Sequence, residues 1–306
     1  MAGRSRVLAG VAAAVLLVGG SLGFLAWRER QRTEERVTTL LRDVERELAA
    51  DPRAMESRDA LSGLVRRVGS DPLGEQDPRL VRARARLELA LGRPRNAWDL
   101  LQASATSADA TVDDLALGAR ISARMADLAG DRAQMERALV LAERAANARA
   151  EREDLSFAWR VASRLGRAED AGRFARLLQE RHAESPEARA VALLGAFTPA
   201  QGEAMYPQLQ ALARETGLPE LELALAGILL QRASSSDHED ALRRLEDLLA
   251  QHESWLEVRN AMALVLHRLG RVADRDRQLQ WLLERAGDDP RAPVWRQLLG
   301  AAGEKR

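Results

Sequence analysis

The chain has 306 residues and carries 46 basic against 46 acidic side chains, so it lacks the net positive field that binding to nucleic acid relies on. It contains no cysteine, which excludes disulfides and cysteine metal centres. Aromatic residues make up 4%, while Ala, Leu, Arg and Glu dominate, a composition that favours helix throughout and predicts no sheet.

Residues 1–6 form a short basic tail with Arg4 and Arg6. From Val7 to Trp27 the chain carries no charge and is mostly Ala, Val, Leu and Gly. As a helix rising about 1.5 Å per residue, this run matches the roughly 30 Å of a bilayer core. Trp27, Arg28, Arg30 and Arg32 then supply an aromatic and basic interface. The run is read as a transmembrane signal anchor over 7–27. Cleavage of a signal peptide at Ser21-Leu22-Gly23 is the competing reading. Gly19 and Gly23 have the spacing that lets membrane helices approach, which allows a homodimer through that face. Gly19-Gly20-Ser21-Leu22-Gly23 also matches a hydrolase nucleophile elbow, but that motif needs a strand-turn-helix and sits here in an apolar span.

Residues 28–76 read as juxtamembrane helices and a hinge. Val37, Leu40, Leu41, Val44 and Leu48 keep helical spacing until Asp51-Pro52. A second helix from Met55 to Val68 ends at Gly69-Ser70-Asp71-Pro72, and the turn-rich stretch to Pro78 is the expected hinge. From residue 77 to 300 a beat sets in. Gly92, Gly130, Gly166, Gly202, Ser236 and Gly270 recur at intervals of 38, 36, 36, 34 and 34 residues, each between two amphipathic stretches. Around Gly166 these are Leu155, Trp159, Val161, Ala162 and Leu165 before it, and Ala171, Phe174, Ala175 and Leu178 after it. A glycine there supplies the left-handed turn that ends a helix. Ser236 and Glu239 have the spacing of a capping box. Trp295, Leu298 and Leu299 suggest a closing helix, and residues 301–306 a disordered tail.

Paired helices at this period resemble the tetratricopeptide repeat family, whose unit has a small residue at the turn and an alanine five positions later, as at Gly92 with Ala97 and Gly166 with Ala171. The resemblance covers roughly Asp77 to Gly287. Met135, Pro207 and Arg275 depart from the alanine, Trp159 stands where the family packs a small residue, and the repeats are degenerate. The resemblance implies an all-α helix-turn-helix solenoid. An ordinary helical bundle is the other arrangement the composition permits. In the family the first helix of each unit lines a concave groove that holds partner peptides. In that register Arg82, Arg86, Arg120, Arg124, Arg160 and Arg164 fall on or beside the groove, so an acidic segment or C-terminal carboxylate is the expected ligand.

Nothing in the chain carries a catalytic signature. His182, His238, His252 and His267 are scattered without metal-ligand spacing and read as surface or helix-end residues. Asp113-Asp114 and Asp288-Asp289 read as capping and turn residues. No metal and no cofactor is expected. The expected function is a non-enzymatic scaffold or adaptor tethered to a membrane, with proteins as its partners. The alternative is an accessory subunit of an envelope enzyme or assembly complex, acting in cell-wall, lipopolysaccharide or cytochrome biogenesis. Lysine occurs only at Lys305 among many arginines, which suggests a GC-rich bacterial genome; with the anchor over 7–27, the expected location is a bacterial inner membrane, crossed once. More basic residues follow the span than precede it, which points to the cytoplasm. A short basic start before an apolar run points to export, and the reading leans to the extracytoplasmic face.

Overall fold

The computed structural model describes residues 27–49 and 55–303. The run 7–26, with Gly19 and Gly23, lies outside the described residues, as do residues 304–306. Among the described residues no helix is long and apolar enough to cross a membrane, and every regular element is helical. The chain forms two compact units that meet between Leu101 and Gln102, whereas the sequence reading divides it at residues 76 and 77.

The first unit contains α1 (residues 27–48), α2 (Met55–Gly69), α3 (Pro78–Ala90) and the start of α4 (Pro94–Ala105). Its core follows helical spacing: Val37, Leu40 and Val44 from α1 meet Leu61, Leu64 and Val68 from α2 and Leu80, Ala83 and Leu87 from α3. The stretch between α2 and α3 contains a hydrogen-bonded turn. Asp71 accepts from the Leu73 amide at 2.9 Å and pairs with Arg36 at 3.1 Å. Asp77 then caps α3 by accepting from the Arg79 amide at 2.8 Å.

The second unit is built from helix pairs: α5 (Val112–Ala129) with α6 (Arg132–Arg149), α7 (Arg152–Arg164) with α8 (Ala168–His182), and α9 (Pro186–Ala196) with α10 (Gly202–Thr216). Then come α11 (Pro219–Gln231) with α12 (Ser235–Gln251), and α13 (Leu256–Arg268) with α14 (Val272–Ala286). Each helix packs on its sequence neighbours, and the first helices of successive pairs also stack, α7 on α9, α9 on α11 and α11 on α13. That is the pattern of a solenoid, in which a pair buries its apolar face against the next. Leu221, Leu225 and Ile228 of α11 are essentially fully buried in this way, each stabilising the fold by roughly 1.5–3 kcal/mol. The last helix, α15 (Ala292–Gly303), runs three residues into the stretch expected to be disordered. Trp295 anchors it, with the indole N–H donating to Asn260 Oδ1 at 2.8 Å.

Four of the six beat positions, Gly92, Gly130, Gly166 and Gly270, take the left-handed conformation. Gly202 does not. It opens α10, and a Cβ there would lie 3.0 Å from Ile228 Cγ1, so close helix approach demands the glycine. Ser236 is not a cap either. Ser234 precedes α12 without a capping hydrogen bond from its side chain, and its hydroxyl meets that of Ser236 at 2.8 Å. The expected capping box with Glu239 therefore does not organise the start of α12.

Candidate functional site

Most of the six groove arginines have partners within the chain. On α3, Arg86 pairs with Glu45 of α1, and Arg82 is half-buried. On α5, Arg120 reaches Glu153 at 3.6 Å and lies 6.0 Å from the Phe157 ring, while Arg124 donates to the Gln251 carbonyl. On α7, Arg160 binds Glu220 at 3.4 Å, and Arg164 binds Asp127. Arg82 and Arg86 belong to the first unit and the other four to the second. An incoming carboxylate at Arg86, Arg120 or Arg160 would compete with one already in place. At the exposed pairs that exchange is nearly neutral, because such ion pairs contribute about 0–1 kcal/mol.

A polar cluster lies where the turn after α5 meets the loop between α12 and α13. The backbone N–H of Ser254 donates to the Asp127 carbonyl at 3.1 Å. Arg164 binds both oxygens of the Asp127 carboxylate, and His252 Nδ1 lies 2.8 Å from Oδ2. A carboxylate only accepts, so Nδ1 carries the proton. The Arg164 guanidinium stands 5.0 Å from the centre of the Trp255 ring, and His252 meets the same ring edge-on at 5.6 Å. Trp255 is itself buried in a core with Val258 and Met262. These contacts clasp the first helix pair of the second unit to a loop more than 120 residues later. A repeat array whose members touch only their neighbours would not make them.

Burial of Asp127 works to raise its carboxyl pKa. The hydrogen bonds from His252 and Arg164 outweigh it and hold the group below the usual aspartate range. An aspartate orienting an imidazole, with a serine two residues on, has the composition of a hydrolytic triad. Here the Ser254 hydroxyl is directed at the backbone carbonyls of Ala126 and Asp127, at 3.0 and 2.6 Å. The hydroxyl thus serves the clasp.

The other histidines also hold backbone or neighbouring groups. His182 Nε2 meets the Ala150 carbonyl at 3.0 Å, buried His238 meets that of Arg232 at 2.8 Å, and His267 Nδ1 accepts from Arg275 at 3.1 Å. His238 lies in the first turn of α12 and His252 is its C-cap, so both are helix-end residues, although His238 is buried. Among the described residues no group of His, Asp and Glu could hold a metal ion. Asp113 and Asp114 lie in the first turn of α5, where Thr111 caps the Asp114 amide at 3.2 Å. Asp289 accepts from the Arg291 amide at 2.8 Å as a turn residue.

Beside the clasp opens a cleft of about 440 Å³, bounded by the turn at Gly130, by Arg164 and Leu165, by Trp255 and Leu256, and by Trp281 and Arg285 of α14. Its volume falls in the range of ligand pockets. The sequence gives no local sign of it, because its walls come from segments some 25 to 90 residues apart.

No protein-family model matches the chain, and no curated protein matches it. Among solved structures, the chain is similar to a tetratricopeptide repeat protein from Parabacteroides merdae, at 12% identity and a TM-score of 0.46, over 87% of this chain and 98% of that one. The helix pairs described above, with first helices stacked in succession, are consistent with the tetratricopeptide-like arrangement implied by the spacing of Gly92, Gly130, Gly166 and Gly270.

Proposed function

We propose that this chain is a non-catalytic binding protein, tethered to a membrane through residues 7–27, whose helical pairs hold a partner protein. The observation that carries the reading is the second unit's clasped solenoid, which fixes a cleft of ligand-binding size while its His252, Ser254 and Asp127 are taken up in holding the array together. Such a rigid cavity between helix pairs recognises a partner without reorganising first, so little ordering cost is lost on binding. The apolar run from Val7 supports the tether, and anchoring raises the local concentration of a partner at the bilayer. The extracytoplasmic face of a bacterial inner membrane is the side we assign to the solenoid.

Crosslinked affinity purification of the full chain from its own membranes, beside a form lacking residues 1–26, tests this. Recovery of one dominant protein with the full chain alone supports a membrane-localised adaptor, and an enzyme as that protein would make the chain its accessory subunit. Equal recovery by both forms would remove the tether from the function. No enriched protein with either would remove the adaptor reading.

A further inference from the structure

The cleft beside the clasp is lined by Arg132, Arg164 and Arg285, of which Arg132 pairs with Glu136 and Arg164 with Asp127. Arg285, exposed on α14, stands 4.6 Å from the centre of the Trp281 ring and forms no ion pair among the described residues. Stacking on an aromatic face attracts a cation but does not neutralise it. Arg259, which is not on the lining, also lies over Trp281, at 4.0 Å, and donates to the Glu253 carbonyl at 2.6 and 2.9 Å and to Gln278 Oε1 at 2.8 Å. Arg164, with a side chain only 10% exposed, gives its terminal nitrogens to Asp127, while its Nε is buried without an acceptor.

The acids around the same cleft are largely committed. Asp131 caps α6, accepting from the amides of Ala133 and Gln134 at 2.9 and 3.4 Å. Asp289 and Glu257 both pair with Arg291, at 2.8 and 3.6 Å. Asp288 is the exposed acid left over on the lining. Between these polar groups the lining is apolar, with Met135, Leu165 and Leu256 on it. An arginine fork matches a carboxylate in two parallel hydrogen bonds, and the apolar walls reward an aliphatic group beside it.

We propose that this cleft is the partner site of the second unit and receives an extended peptide segment in which an Asp or Glu stands next to an aliphatic residue. Arg285 takes the carboxylate, while Met135, Leu165 and Leu256 pack the aliphatic side chain. The proposal rests on the binding reading above and places the site at the closure of the array, away from Arg86, Arg120 and Arg160, whose carboxylates the chain supplies itself.

The test is selection of a random peptide display library on the full-length protein in detergent, followed by affinity measurement on the enriched peptides. The expected sequences place Asp or Glu beside Leu, Ile, Val or Met. Replacing that acid by Asn or Gln should weaken binding at least tenfold. Arg285→Glu should abolish binding, Arg285→Lys should keep part of it, and Arg120→Glu should leave it unchanged. Because Arg285 is exposed, these variants should keep the wild-type helical melting curve. Enriched peptides without an acid would overturn the proposal, as would binding that survives Arg285→Glu. Dependence on Arg120 or Arg160 in place of Arg285 would move the site to the groove and keep the binding function. No enriched peptide, alongside a partner captured by crosslinking, would leave the adaptor reading standing and remove the cleft as its site.

Discussion

His252 donates its Nδ1–H to Asp127 Oδ2 across 2.8 Å and so joins residues 125 positions apart in the chain. Arg164 reaches the same carboxylate from α7, which makes Asp127 the point where three separate segments of the solenoid are held together. Its side chain is only 4% exposed, and its value to the fold depends on every donor staying in place.

Asp127→Asn preserves the size of the side chain but leaves the buried Arg164 without its counter-charge. Removing one member of a buried pair typically costs 3–5 kcal/mol, and the shared donors here lead us to expect about 3 kcal/mol. Chemical denaturation of the full chain at neutral pH measures this. A loss below about 0.5 kcal/mol would show that the clasp does not support the array.

The depressed pKa of Asp127 sets the direction of a pH effect. A carboxyl whose folded value lies below its unfolded one adds stability that is complete above the unfolded value and disappears as pH falls through the folded one. Stability linked to Asp127 is therefore full at neutral pH and declines from about pH 4 downward. Denaturation curves at pH 7 and pH 3.5 should show the difference between the wild-type chain and Asp127→Asn narrowing in acid. A constant difference across that range would contradict the linkage.

At Gly202 the constraint is the neighbouring helix. An added Cβ would meet Ile228 Cγ1 at 3.0 Å, and Ile228 is 1% exposed and has no free space to move into. Gly202→Ala should destabilise the second unit by about 1–2 kcal/mol through overpacking. In an Ile228→Ala background, where Cγ1 is gone, Gly202→Ala should cost less than in the wild-type chain, giving a favourable coupling in a double-mutant cycle. Strict additivity of the two changes would remove the steric explanation.

The tether can be tested at the middle of the apolar run. Leu16→Arg places a charge where a membrane helix would cross the bilayer centre, a change that costs about 2.5–3.5 kcal/mol on insertion scales. The wild-type chain should stay in the membrane pellet after an alkaline wash with residue 1 intact by mass spectrometry, and Leu16→Arg should be released. A wild-type N-terminus beginning near Gly23 would establish cleavage in place of anchoring.

Local periodicity was enough to determine the helical class, most helix pairs and the turns at Gly92, Gly130, Gly166 and Gly270. Each depends on residues within one or two helical turns of one another, where side-chain spacing and left-handed glycine act directly. The sequence pattern also separated Val37, Leu40 and Val44 from their polar neighbours, because burial repeats with the helix. Gly202 was legible as a special position but not for the right reason, since its glycine answers to Ile228 on another helix. Arg82, Arg86, Arg120, Arg124, Arg160 and Arg164 were legible as arginines on first helices, yet the carboxylates and carbonyl that occupy most of them lie 30 or more residues away, with the Gln251 carbonyl 127 away from Arg124. The clasp at Asp127, the roles of His252 and Ser254, and the cleft at Trp281 and Arg285 were decided by tertiary structure alone. They join residues 90 or more positions apart in the chain, and no local pattern of side chains encodes such contacts.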